Sequence, residues 1–149
     1  MIEGEGLAKV PTEKELIDQL GSVYLFEGLS EKDLKALIGR ASEVEHSAGH
    51  KIVTEGRGGV GFHLILEGHA QVLVHEQSRG WLGPGDYFGE MSLIDGQPRS
   101  ATVRSDTPVR TLSMTSWDFQ PLLDDPVITK KLLLGVCKRL RSAEGVSQS

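Results

Sequence analysis

The chain has 149 residues, which suits one domain with its own hydrophobic core. Its formal net charge of −5 argues against bulk electrostatic attraction to nucleic acid, which needs clustered positive charge. The single cysteine, Cys137, excludes an intramolecular disulfide, and no apolar run approaches the roughly 20 residues needed to span a bilayer.

Cys137 reads as a small apolar residue on a helix face. The first ten residues are neither basic nor apolar enough for a signal peptide, so the expected compartment is the cytoplasm. Glycine is the outlier of the composition, at 18 residues, and implies many tight turns between short strands.

Residues 1–11 read as a flexible lead-in and 144–149 as a frayed tail, with one domain over 12–143. A helical stretch opens at Thr12, with Leu16, Ile17 and Leu20 on one side. Phe26 to Leu29 form a turn. Ser30 has the chemistry of an N-cap, with Glu31 and Asp33 in the first turn and Leu34, Leu37 and Ile38 at helical spacing behind it.

Beyond Ala41, short apolar runs at 51–54, 62–66, 70–75, 81–82, 101–104 and 109–114 alternate with glycine-containing turns. This spacing predicts a β-sandwich or barrel-like roll. Within 70–75, Ala70, Val72 and Val74 face one way and Gln71, Leu73 and His75 the other. The chain then turns helical again. Ser116 can cap a short helix that places Trp117, Phe119 and Leu122 in the core, with Pro121 limiting its length. Asp125 and Pro126 start a second helix, with Leu133, Val136, Cys137 and Leu140 on one face.

The chemistry concentrates in 88–103. Gly89 allows close backbone approach or a positive φ. A short helix beginning near Glu90 would point free N–H groups outward as an anion site. Arg99 lies a few residues on and can hold a phosphate through charge-assisted, forked hydrogen bonds. Glu90 would repel that phosphate, unless it accepts hydrogen bonds from an adjoining sugar hydroxyl. Together the two describe a nucleotide.

Phe88-Gly89-Glu90-Met91-Ser92-Leu93 and Pro98-Arg99-Ser100-Ala101-Thr102-Val103 resemble the phosphate-binding cassette of cyclic-nucleotide-binding domains. Leu82-Gly83-Pro84-Gly85-Asp86 resembles the turn that precedes the cassette, and Glu55-Gly56 with Gly59 an upstream turn. The resemblance extends over about 25–141. It departs at Arg57, Val60 and His63, where acidic or aromatic residues are usual.

The resemblance implies a mainly β domain with flanking α: an antiparallel, jelly-roll-like β-roll with N-terminal helices and a C-terminal lid helix pair. It implies that Glu90 binds the ribose 2′-hydroxyl and that Arg99 pairs with the exocyclic phosphate oxygens. Backbone groups of Gly89, Met91, Ser92 and Ala101 line phosphate and ribose. Ser100 donates its hydroxyl to phosphate or base, and Val72 touches the purine from the inner face. The expected ligand is cAMP, with cGMP as the alternative, and no other cofactor.

Function is then binding without catalysis. The helix at 126–143 repositions as a lid and regulates an attached domain or partner. The chain itself contacts neither nucleic acid nor membrane, and is a monomer or weak homodimer. Two other readings are the ligand-binding half of a cAMP-responsive transcription regulator and a cupin-like metal enzyme. His63, His69 and His75 recur every six residues, but Gly68 interrupts their register, so they read as ordinary strand histidines.

Overall fold

The computed structural model describes residues 7, 10–23, 26–57, 61–89 and 97–143. Two capped helices come first. In α1 (Glu13–Gly21) the Thr12 hydroxyl accepts from the Glu15 amide and the Glu15 side chain answers to the Thr12 amide. In α2 (Glu31–Arg40) Ser30 and Asp33 form the same reciprocal box. Each box satisfies two amides that the first turn would leave unpaired. Leu16, Leu20, Leu34 and Leu37 turn inward from these helices.

Eight strands follow: β1 (Ser42–His46), β2 (Lys51–Val53), β3 (Phe62–Glu67), β4 (Ala70–Val74), β5 (Gln77–Leu82), β6 (Tyr87–Phe88), β7 (Thr102–Ser105) and β8 (Val109–Met114). They form two four-stranded antiparallel sheets, ordered β1-β8-β3-β6 and β2-β7-β4-β5. This is the expected antiparallel β-roll with flanking helices. A two-residue turn, His75-Glu76, joins β4 to β5 with φ of 53° and 66°. Positive φ at both turn residues matches the right-handed twist of a hairpin.

Two apolar clusters hold the layers together. Phe26, Phe62 and Phe119 join the helices to the first sheet, with the Phe62 and Phe119 rings stacked at 5.0 Å. Ile65, Ala70, Phe88, Val103 and Val109 form the second cluster, against Ile52, Val53 and Leu82. On β8, Arg110 is 3% exposed and reaches Glu45 at 2.9 Å and Glu67 at 3.5 Å, tying β1, β8 and β3 together.

The chain closes with α3 (Ser116–Leu123) and α4 (Pro126–Ala143). Thr115 caps α3, not Ser116; its hydroxyl accepts from the Asp118 amide. Asp125 Oδ1 accepts from the amides of Val127 and Ile128 and so starts α4. Phe119 is fully buried, whereas Trp117, expected in the core, is 86% exposed. The eight-residue helix presents only one narrow side inward, and Trp117 stands off it. Leu133, Leu140 and Cys137 are likewise exposed, so that face of α4 is not consumed by the roll. The helix meets the core through Ile128, which is 1% exposed, and approaches the roll at Gly135, where a Cβ would come within 2.7 Å of the Tyr87 hydroxyl.

Candidate functional site

The backbone of Arg99 is locked in place by two hydrogen bonds. Its amide donates to Arg57 O at 2.9 Å, and its carbonyl accepts from the Gly56 amide at 2.8 Å. One residue pair further, the Thr102 hydroxyl accepts from the Glu55 amide at 2.9 Å. The turn at 54–57 therefore grips the strand entry around Arg99 from both sides. Glu55 also reaches the β4–β5 hairpin, where its carboxylate accepts from the His75 amide at 2.8 Å.

Arg99 as a whole is 6% exposed. Its Nη1 donates to Gly89 O and its Nη2 to Gly61 O, both at 3.2 Å. The guanidinium is thus held between the end of β6 and the start of β3 by two carbonyls. Gly89 has φ of +96°, and a Cβ there would collide with Gly61 O and lie 2.9 Å from Arg99 Nη1. Both expectations for Gly89, positive φ and close approach, hold at this one residue.

The other expected residues divide into two groups. Ser100 is exposed and Ala101 half-buried, immediately after Arg99 and leading into β7. Val72 is half-buried on β4 and pairs with Val103 of β7, so both point to the same face of the sheet. Val103 belongs to the cluster between the sheets, which places Val72 on the inner face. Glu90, Met91 and Ser92 lie outside the described residues, as does the short helix expected near Glu90.

The site also contains two groups to which sequence alone assigns no part in it, Gly61 and His63, the latter expected to be an ordinary strand histidine. The Gly61 carbonyl orients Arg99. His63 stacks on Phe88, with ring centroids 5.1 Å apart, and its Nδ1 lies 2.8 Å from Ser113 Oγ. Burial, then the positive charge of Arg99 and then His46, lower the His63 pKa to about 4. The neutral ring is therefore the form present at physiological pH. Only the β3–β8 register, with His63 opposite Ser113, reveals this contact. Among the described residues, no three His, Cys, Asp or Glu side chains gather as metal ligands, and no helix is long and apolar enough to cross a membrane.

A family model described as the cyclic nucleotide-binding domain matches residues 43–125. The chain is 34% identical over 108 residues to a cGMP-dependent protein kinase of Eimeria tenella, covering 72% of this chain and 11% of that protein. It is 30% identical over 132 residues to a CRP-like cAMP-activated global transcriptional regulator of Mycobacterium tuberculosis, covering 82% and 57%. Among solved structures, cAMP-bound PfPKA-R shares the fold, with a TM-score of 0.79 at 22% identity over 91% of this chain and 48% of that one. The chain spans little more than half, or far less, of the curated relatives' own lengths. The match over 43–125 takes in β1 through α3, with Arg99 and both carbonyls that hold it, and the chain belongs to the cyclic nucleotide-binding domain family.

Proposed function

We propose that this domain binds cAMP, with the phosphate at Arg99, and passes the binding event to α4 and through it to an attached domain or a partner protein. The observation that carries the reading is the clamped guanidinium. Arg99 is buried and held by its backbone and by two carbonyls, so a phosphate meets a cation already oriented. Preorganisation of this kind removes ordering cost from binding.

Glu90 is proposed to accept from the ribose hydroxyl, and Met91, Ser92 and Ala101 to line the phosphate and ribose. Ser100 and Val72 face phosphate or base and purine. The ligand choice rests on the mycobacterial relative, named for cAMP, against the kinase relative, named for cGMP. Binding shifts α4 only by differential affinity for its two positions. The contact of Gly135 with Tyr87, two residues before Gly89, supports α4 as the moving element. The mycobacterial match also supports a second reading, in which this is the ligand-binding half of a transcription regulator. We read the domain as regulatory and not catalytic, acting in the cytoplasm.

The test is titration calorimetry with cAMP and cGMP on the wild type and Arg99→Ala. The expected result is binding with cAMP preferred, weakened in the variant by about 2–5 kcal/mol for a desolvated charge pair. Unchanged cAMP affinity in Arg99→Ala would sink the assignment.

A further inference from the structure

His63 connects both carbonyls that hold Arg99. Gly61 lies two residues upstream on the same segment, and Phe88, the residue before Gly89, pairs with His63 across β3 and β6. The stacked rings of His63 and Phe88 fix the distance between the two segments. From His63 a chain of polar groups runs across the sheet. Its Nδ1 is 2.8 Å from Ser113 Oγ, which is 2.9 Å from Thr111 Oγ1, which is 3.1 Å from His46 Nε2. His46 is half-buried and stacks on exposed His50 at 5.5 Å, so the outer end of the chain reaches solvent.

Each hydroxyl has one proton to donate, so the chain runs in one direction at a time. In one direction His46 Nε2–H donates to Thr111, Thr111 to Ser113 and Ser113 to a bare His63 Nδ1. A solvent proton taken at His46 Nδ1 reverses it. His46 releases its Nε2 proton to Thr111, Thr111 passes its own to Ser113, and Ser113 passes its own to His63. One proton has been taken up. His63 is then an imidazolium, and His46 is neutral with Nε2 accepting from Thr111.

We propose that His63 is a positioning residue of the phosphate site, and that filling this site favours protonation of His63 along the His46–Thr111–Ser113–His63 chain. The proposal rests on the ligand reading above. The charged and titratable groups that face His63, among the described residues, are Arg99 from the segment before β7 and His46 from β1, with His50 behind it. Ser113 and Thr111 of β8 and Phe88 of β6 carry no charge. Burial is the larger part of what holds His63 down, and the repulsion from Arg99 comes next. A phosphodiester monoanion on Arg99 cancels that repulsion. The His63 midpoint therefore rises when ligand is bound, and affinity rises as pH falls through the raised midpoint.

Calorimetric titration of cAMP in buffers of different ionisation heat reads both quantities. For a midpoint raised by about one unit, affinity increases about twofold between about pH 7.5 and about pH 5, with about 0.4 proton taken up per ligand at the lower pH. In His63→Phe, which keeps a ring on Phe88, the proton uptake and the pH slope disappear. In Ser113→Ala the His46 ring, followed by nitrogen NMR, no longer changes tautomer when cAMP is added. Proton uptake that persists in His63→Phe, or a wild type with no uptake and equal affinity at both pH values, overturns the proposal. A second arm needs no ligand: NMR titration of His63 in Arg99→Gln shows a midpoint above that of the wild type, and an unchanged midpoint overturns the coupling. A wild type that binds no cAMP at either pH refutes the ligand reading, while this second arm still decides the coupling.

Discussion

The carbonyl oxygen of Gly89 accepts a 3.2 Å hydrogen bond from Arg99 Nη1, and the missing side chain of the same glycine leaves the space the guanidinium occupies. Backbone and cation therefore constrain each other. Gly85 has nearly the same φ, +92°, but nothing lies within 4 Å of its would-be Cβ. Gly85→Ala should cost about 1–2 kcal/mol from backbone strain alone. Gly89→Ala adds the collision with Gly61 O and Arg99 and should cost about 2–5 kcal/mol. Urea denaturation of the two variants measures the difference, and cAMP affinity should fall only in Gly89→Ala.

Gly135 of α4 and Tyr87 of β6 give a second paired test. An alanine at Gly135 favours the helix by about 1 kcal/mol from propensity. Its Cβ would nevertheless meet the Tyr87 hydroxyl at 2.7 Å. Gly135→Ala should therefore loosen α4 from the roll and change cAMP affinity. Tyr87→Phe removes the oxygen in the way, so the double variant should regain docking and exceed the sum of the single changes. A double-mutant cycle on both stability and affinity reads this coupling.

Much of the fold was legible because several elements carry local signals. Thr12, Ser30 and Asp125 announce helix starts, and the short apolar run at 109–114 matches the full extent of β8. β1 was missed. Its sequence, Ser42-Glu43-Val44-Glu45-His46, is largely exposed and has no apolar face to betray it; pairing with β8 makes it a strand. β6 has two residues and exists only against β3. At the site, Gly89 and Arg99 were legible through motif and charge. The contributions of Gly61, His63 and Ser113 were not, because a carbonyl's direction and a cross-strand register are set by tertiary pairing.

Trp117 and Phe119 separate helical spacing from actual burial. Both lie on α3, two residues apart, yet one is 86% exposed and the other is fully buried against Phe62. Phe119→Ala should cost about 3–5 kcal/mol. Trp117→Ala should stay within about 0.5 kcal/mol. Thermal denaturation of the pair checks this, and a large loss in Trp117→Ala would contradict the packing of α3.

His63 should also shape stability against pH in the ligand-free protein. Its folded pKa of about 4 lies below the unfolded value of 6.5, with burial the first cause and Arg99 the second. The neutral ring is the folded form, so the unfolded chain binds the proton more readily. The stability this group contributes is complete above about pH 6.5 and is lost as pH falls toward about 4. A gap of that size corresponds to about 3 kcal/mol over the window. His46, lowered by burial and then by His50, adds a loss of the same sign. His63→Phe cannot take up the proton, so its stability should fall much less between neutral pH and about pH 4. Urea denaturation of wild type and variant across that range measures the difference, and parallel curves would show that the imidazole is not held neutral by its surroundings.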